Sequence, residues 1–138
     1  MSELNDFNEK VITEFRANEG KVGGQMAGMP LLLLTTTGNK SGRTLTKPLA
    51  YTNEGGRIFV IASFAGSSHN PAWFCNLEAN PAVTVEVGKE RFQARARIIS
   101  GEERERLFKL QADKMSIFYD YQKKTTRQIP VVVLERVN

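Results

Sequence analysis

A polar turn that follows an apolar run is the first group of residues in this chain whose types suit ligand binding. Residues 31–43 read LLLLTTTGNKSGR, which is a β-prone run that ends abruptly in polar residues. Gly42 lets backbone N–H groups approach a ligand, while Lys40, Ser41 and Arg43 offer donors to phosphate or carboxylate oxygens. These four residues therefore predict an anion-binding site at the end of a buried strand. The alternative is an ordinary surface turn, since Gly, Asn and Ser are common turn formers.

The turn does not match the common nucleotide-binding loops. No Gly-Lys pair in the chain is followed by Ser or Thr with a glycine five residues earlier, so the sequence does not support a Walker A loop. No GxGxxG pattern follows a strand, which argues against a dinucleotide site of the Rossmann type.

A second candidate segment combines aromatic and amide side chains at the start of a helix. Residues 70–77 read Asn-Pro-Ala-Trp-Phe-Cys-Asn-Leu, where Asn70 is predicted to cap a helix over 71–79. Trp73 and Asn76 are three residues apart and share one face of that helix. An aromatic ring beside an amide suits a planar ligand with polar edges. Together with the turn, this segment predicts a site for a flat, anionic cofactor.

The neighbours of these residues receive simpler interpretations. Adjacent helical residues point in different directions, so Trp73 is assigned to the site and Phe74 to the core. His69 is interpreted as a solvated loop residue, because the chain has no second histidine and no cysteine cluster that could bind a metal. Cys75 is expected to pack beneath the helix and not to act as a nucleophile.

Composition limits the class of protein and its surroundings. The 138 residues fit one domain, and a single cysteine excludes disulfides within the chain and suits a reducing compartment. The polar N-terminus is unlike a signal peptide, and no apolar run has the length of a membrane span. These features predict a cytoplasmic protein. The net charge of +4 is scattered among acidic residues, so nucleic-acid binding is not expected.

An amphipathic helix is predicted over residues 3–18, where apolar residues recur at helical spacing before Gly20. Residues 21–28 follow as a glycine-rich linker. The apolar stripe of the helix leaves three partners open, namely the domain's own sheet, a second copy of the chain in a homodimer, or a membrane surface. The first is the commonest outcome. The chain is accordingly divided into a helix and linker over 1–27 and a main domain over 28–138.

The remaining elements are predominantly β. Paired glycines predict a hairpin between strands at 45–53 and 57–63, and Gly88-Lys89 predicts a second between 82–87 and 91–99. Ser100 and Glu103 have the spacing of a capping box at the start of a helix. A last strand is predicted over 129–134. Six strands with local hairpins and flanking helices predict an α+β domain whose antiparallel sheet curls into a barrel.

Several motifs in fixed order resemble the deazaflavin-dependent nitroreductases, actinobacterial reductases that use coenzyme F420 on a split β-barrel of the FMN-binding type. The resemblance covers residues 28–138. It is carried by residues 32–43, Pro48-Leu49, Gly55-Gly56-Arg57, Ala62-Ser63, the Asn70–Pro81 motif, Tyr119-Asp120-Tyr121-Gln122 and Arg127-x-Ile129-Pro130-Val131-Val132.

The resemblance implies where the cofactor lies. It implies that the phosphate and oligoglutamate tail of F420 lie by the Lys40-Ser41-Gly42 turn, and charge complementarity makes Arg43 a further tail contact. It implies that the ring system lies near a set of small, polar and aromatic residues: Pro48, Ala62, Ser63, Trp73 and Asn76. Phe64 stands where some relatives have Lys, which predicts fewer cationic contacts to the tail.

The function implied is transfer of a hydride from reduced F420 to an electron-poor small molecule, namely a quinone, an enone or a nitroaromatic. Tyr121 and then Tyr119 are the candidate catalytic residues, because a phenol can stabilise the oxygen that becomes negative. No metal is expected. Two alternatives stay open, an FMN-dependent reductase on the same barrel and a non-catalytic cofactor carrier.

Overall fold

The computed structural model describes residues 3–21, 30–38 and 41–137, and within these it contains a closed barrel of six antiparallel strands. The strands lie around the barrel in the order β1-β2-β3-β6-β5-β4, and pairing of β1 with β4 closes it. Their bounds are β1 Leu31–Thr37, β2 Thr44–Glu54, β3 Arg57–Ile61, β4 Ala82–Val87, β5 Glu90–Ile99 and β6 Val131–Arg136. The predicted α+β split-barrel fold is confirmed.

The two predicted hairpins are confirmed and explain how neighbouring strands come to pair. Glu54 pairs with Arg57 across Gly55 and Gly56, both of which have positive φ, and Val87 pairs with Glu90 across the second turn. Two consecutive residues with positive φ give a turn whose twist matches that of the strands. In the second turn only Gly88 has a positive φ, and the two turns set the register of the two hairpins.

The apolar run in β1 is buried on both of its faces. Leu32 and Leu34 point into the barrel core, while Leu31 and Leu33 lie under the N-terminal helix. The same alternation divides β6, whose Val132 belongs to the interior cluster. Because side chains alternate across a strand, a strand covered on both faces carries a continuous apolar run.

Four α-helices in the described part of the chain cover the barrel. They are α1 Glu3–Ala17, α2 Ala72–Ala79, α3 Gly101–Lys114 and α4 Ile117–Lys123, and a single 3₁₀ turn spans Phe64–Gly66. In α1, Val11, Ile12 and Phe15 are buried against β1. The prediction that this helix docks on the domain's own sheet is confirmed. The predicted linker lies, from residue 22 onward, outside the described residues.

The side-chain capping bonds predicted at two helices are absent, although both helices exist. Asn70 does not cap α2; Pro71 occupies the N-cap position, and the Asn70 side chain instead accepts a hydrogen bond from Arg127. Ser100 occupies the N-cap position of α3, as predicted, but makes no side-chain capping bond, and Glu103 pairs with Arg57 at 2.7 Å. In both cases an arginine that is distant in sequence is the alternative partner.

Cys75 corrects a further expectation, since it is exposed and does not pack beneath α2. The buried face of this short helix is formed by Trp73, Phe74 and Leu77, so Cys75 lies on the solvent side. His69 is exposed, as predicted. None of the described helices is both long enough and apolar enough to span a bilayer.

Candidate functional site

A cavity of about 590 Å³ lies between the barrel wall and the α2 and α4 helices. This volume falls within the roughly 300–1,000 Å³ that is usual for ligand pockets. Residues from β2, the segment after β3, the start of α2 and the α4 region supply most of its walls. The lining residues are Asn8, Leu31, Lys47, Pro48, Leu49, Ala50, Ile61, Ser63, Phe64, Pro71, Ala72, Trp73, Met115, Ile117, Phe118 and Tyr121.

The walls are mostly apolar and aromatic. Trp73 is buried at the start of α2, where it meets Phe74 edge to face at 6.4 Å between ring centroids. On α4, Phe118 is buried and meets Tyr121 edge to face at 5.8 Å. Rings held by this packing form rigid surfaces, which suit a planar ligand.

A few polar groups lie on these apolar walls. Lys47 from β2, Ser63 after β3 and Tyr121 on α4 all line the cavity and are partly buried. Within the described part of the chain, the Lys47 ammonium and the hydroxyls of Ser63 and Tyr121 have no hydrogen-bond or ion-pair partner. A few polar groups on an apolar wall are what orients a ligand.

The segment from Ala62 to Asn70, which carries Ser63 and Phe64, is organised by Arg127. The guanidinium donates to the backbone oxygens of Ser63 at 2.7 Å and Ser67 at 2.9 Å, and to the side chain of Asn70 at 2.9 Å. Partial burial lowers the pKa of Arg127. A charged donor with a rigid fork suits several carbonyl oxygens at once.

Helix α4 is held against this segment by close backbone contact. A Cβ atom at Gly66 would lie 2.7 Å from the backbone oxygen of Tyr121 and 2.9 Å from Cβ of Lys124. Gln122 of the same helix donates to the backbone oxygen of Arg127 at 2.8 Å and accepts from the buried Arg104 at 2.8 Å. These contacts position Phe118 and Tyr121 relative to Ser63.

The structure brings four of the sequence-predicted site residues together and separates others from them. Pro48, Ser63, Trp73 and Tyr121 all line the cavity. Ala62 is fully buried beside it and contributes its backbone oxygen to Arg127.

Asn76 and Tyr119 are not among the lining residues. The Asn76 amide donates to the hydroxyl of the buried Thr36 at 3.1 Å, which ties α2 to β1. Tyr119 donates its hydroxyl to Asp113 at 2.5 Å. This bond lowers the pKa of Asp113 and raises the pKa of Tyr119.

Ser41, Gly42 and Arg43 of the predicted anion-binding turn are exposed and do not line the cavity. Gly42 donates its N–H to the Gly38 oxygen at 3.1 Å, and the N–H of Arg43 donates to the Ser41 hydroxyl at 3.2 Å. These amides are already used within the turn. The Arg43 guanidinium, which forms no ion pair with the described residues, is the group left to attract an anion. Lys40 lies outside the described residues.

Sequence reasoning did not assign Lys47, Phe64 or Arg127 to the site. Lys47 lies inside the long strand β2 without a local motif around it, and only the folded chain places it beside the other lining residues. Arg127 could have been assigned to the site from the sequence, because it stands in the Arg-x-Ile-Pro motif before β6. The positive φ of Phe64, +46°, could not be predicted from the sequence, since only glycine commonly adopts such a conformation.

Comparison with known proteins gives consistent results. The sequence profile of the family described as F420H(2)-dependent quinone reductase matches residues 8–136 of this chain. An F420H(2)-dependent quinone reductase of Mycobacterium tuberculosis (strain ATCC 25618 / H37Rv) is 36% identical over 126 residues, which are 88% of this chain and 85% of that protein.

Two solved structures extend the similarity to the fold. One, described as an F420-H2 dependent reductase (FDR-A), is 40% identical with a TM-score of 0.71, covering 77% of this chain and 94% of that chain. The other, described as a domain-swapped dimer, is 35% identical with a TM-score of 0.73 and covers 96% of both chains.

Proposed function

Since this chain belongs to the F420H(2)-dependent quinone reductase family and is an F420-dependent oxidoreductase, we propose that its cavity beside Trp73 holds the deazaflavin ring and the acceptor. The observation that carries the proposal is the cavity itself. It combines buried aromatic walls with polar groups that no described residue satisfies.

The residues present fit such a ring. Pro48 and Trp73 offer apolar surface to a planar system, while Ser63 and Lys47 offer donors to ring oxygens and to ribityl hydroxyls. Asn76 and Ala62 support the wall from behind, Asn76 through Thr36 and Ala62 through Arg127. When bound, the reduced cofactor supplies a hydride to the acceptor.

Tyr121 is the residue that we propose for the acceptor's oxygen. When a quinone accepts a hydride, charge develops on an oxygen that then takes up a proton, so a positioned phenol stabilises that oxygen. The Tyr121 ring is fixed against Phe118, and its hydroxyl has no described partner. Tyr119 is the second candidate for this role, and it is less well supported because its hydroxyl already donates to Asp113.

The turn at residues 40–43 is proposed to attract the anionic tail of the cofactor. Lys40, Ser41, Gly42 and Arg43 keep the role that the family resemblance implies. The internal bonds of Gly42 and Arg43 favour attraction by side-chain charge over an amide cradle.

Quinones are the acceptors that we propose first, because the named relatives are quinone reductases. Conjugated enones and nitroaromatics are further acceptors of the same electron-poor class. A homodimer is also proposed, since a similar solved structure is described as a domain-swapped dimer. The proposed location is the cytoplasm, where an exposed free thiol such as Cys75 stays reduced.

Contact with a membrane surface through α1 receives little support. Val11, Ile12 and Phe15, the described apolar residues of its stripe, are already buried against the barrel.

Titration with F420 tests the proposal, with FMN titrated in parallel and turnover measured with the soluble quinone menadione. We expect saturable F420 binding that is tighter than FMN binding, and protein-dependent turnover. Preference for FMN would support the flavin alternative, and binding without turnover of menadione, an enone or a nitroaromatic would support a carrier.

A pair of variants locates the bound ring. Ala72 is exposed at the cavity, whereas Ala79 is exposed at the other end of the same helix and does not line it. Ala72→Trp should fill the cavity and weaken F420 binding at least tenfold, about 1.4 kcal/mol. Ala79→Trp should leave the affinity unchanged, and equal effects of the two substitutions would contradict the proposed location.

A further inference from the structure

We infer that Arg127 is a positioning residue for the reaction, because its guanidinium holds the segment from Ala62 to Asn70 in the conformation that presents Ser63 and Phe64 to the cavity. The inference rests on the proposed function, since it concerns how the walls of that site are held. It assigns Arg127 no contact with cofactor or acceptor.

All four side-chain hydrogen bonds of Arg127 go to this one segment. Its Nη2 donates to the backbone oxygen of Ser63 at 2.7 Å and its Nε to that of Ser67 at 2.9 Å. Its Nη1 donates to Asn70 Oδ1 at 2.9 Å and to the backbone oxygen of Ala62 at 3.3 Å. Among the described residues Arg127 forms no ion pair, so its charge serves to strengthen bonds to oxygens of the segment.

The segment needs such an anchor because its backbone is strained at the cavity. Phe64 has a φ of +46°, a conformation that bulky residues rarely adopt and that persists only where surrounding contacts enforce it. The Ser63 oxygen accepts from Gly66 N–H at 2.9 Å, and the Phe64 oxygen accepts from Ser67 N–H at 3.0 Å. Arg127 binds the Ser63 and Ser67 oxygens, at the two ends of this turn.

Burial does not hold the Phe64 side chain in place. Phe64 lines the cavity and is 49% exposed, so its position follows from the backbone that carries it. Whatever fixes that backbone therefore fixes this part of the wall.

Arg127 also connects the segment to helix α4. Its backbone oxygen accepts from Gln122 on α4 at 2.8 Å, and its N–H donates to Thr125 Oγ1 at 3.2 Å. Helix α4 carries Tyr121, the proposed donor to the acceptor. The segment and α4 thus share one anchor, and loosening it should change how Ser63 and Tyr121 are placed relative to each other.

The test compares Arg127→Gln and Arg127→Lys with Arg136→Gln. Arg136 is an exposed arginine that pairs with Glu90 at 3.2 Å and does not line the cavity, so its substitution removes the same charge elsewhere. Hydrogen–deuterium exchange of peptides that cover residues 63–70 and the barrel strands is measured first. F420 affinity and the KM for menadione are measured on the same preparations.

For Arg127→Gln we expect exchange in 63–70 to become at least tenfold faster while the barrel strands keep wild-type protection. F420 should bind at least tenfold more weakly, and the menadione KM should rise. Arg127→Lys, which keeps the charge but loses the fork, should recover part of each effect. Arg136→Gln should match the wild type.

Unchanged exchange in 63–70 in Arg127→Gln would overturn the inference, as would faster exchange spread equally over the barrel strands. If Arg127→Gln does not fold, the same measurements on Arg127→Lys decide. A wild-type protein that binds no F420 would refute the proposed function, and the exchange comparison would still decide whether Arg127 holds the segment.

Discussion

Tyr119 and Tyr121 show how two similar side chains on one short helix come to differ in chemistry. Both are partly buried, and each meets a phenylalanine edge to face. The Tyr119 hydroxyl donates to Asp113, which also accepts from Lys109 at 3.0 Å, so this phenol belongs to a surface network. The Tyr121 hydroxyl lies at the cavity without a described partner. This difference supports Tyr121 over Tyr119 as the proposed contact of the acceptor.

Tyr121→Phe should lower kcat for menadione at least tenfold, which corresponds to about 1.4 kcal/mol of transition-state stabilisation. The reason is that a hydrogen-bond donor to the developing oxygen anion is lost while the ring packing stays. F420 affinity should change little. Single-turnover kinetics under conditions where the chemical step limits the rate provide the measurement.

Tyr119→Phe is the matched control, since it removes the same hydroxyl from the same helix outside the cavity. Its kcat should equal that of the wild type. A wild-type rate in Tyr121→Phe would mean that solvent supplies the proton, and a loss in Tyr119→Phe alone would exchange the two roles.

Helix α4 and the 3₁₀ turn Phe64–Gly66 meet in close backbone contact beside the cavity. Gly66 has a φ of +79° and no room for a side chain against α4. At the other end, Gln122 and the buried Arg104 join the helix to α3 and to the backbone oxygen of Ile129. The spacing of the cavity walls therefore depends on contacts between elements and not on any one of them.

Gly66→Ala should destabilise the protein and weaken F420 binding together. A left-handed backbone costs a non-glycine residue about 1–2 kcal/mol, and the added Cβ must also displace α4. Thermal unfolding and F420 titration measure the two effects.

Gly101→Ala serves as the comparison, because Gly101 has a φ of +67° but no atom within 4 Å of an added Cβ. It should lose stability through the backbone alone and keep wild-type F420 affinity. If Gly66→Ala were no worse than Gly101→Ala in both measurements, the close contact with α4 would have no functional weight.

The closed barrel and its surface charge determine how the whole protein meets an anionic ligand. Pairing of β1 with β4 closes the barrel. The cavity lies outside the barrel, where residues of α2 and α4 line it together with residues of β2. The net charge of +4 favours anions without specifying where they bind. Arg43, exposed and without an ion-pair partner among the described residues, is a local site for such attraction.

Arg43→Gln should weaken binding of F420 by about 1.4-fold to fivefold at low salt, since an exposed charge pair contributes about 0.2–1 kcal/mol. The effect should shrink as salt is added, because ions screen exposed charges. The deazaflavin that lacks the phosphate and glutamate tail should bind the variant and the wild type equally. Fluorescence titration of both ligands at two salt concentrations is the measurement, with Arg91→Gln, an exposed arginine on β5, as control.

An equal loss for the tail-free deazaflavin would place Arg43 at the ring and contradict the proposed role. An equal loss of F420 affinity in Arg91→Gln would show that the effect of Arg43→Gln comes from the change in net charge alone.

The elements and their local pairing could be predicted because their causes lie close together in the chain. Paired glycines set the first hairpin turn and Gly88-Lys89 the second, and the apolar run of β1 predicted a buried strand. The apolar wall of the cavity could also be predicted from the sequence, since Trp73 and Pro48 stand in recognisable motifs and both line the cavity.

Contacts between residues far apart in sequence were decided only in the folded chain. The local sequence predicts that Asn70 caps a helix, yet its side-chain oxygen accepts a hydrogen bond from Arg127, 57 residues away. The local sequence predicts that Asn76 contacts a ligand, yet its amide donates a hydrogen bond to Thr36, 40 residues away. A polar side chain bonds to the partner that the closed barrel brings within about 3 Å, and local spacing carries no information about that partner.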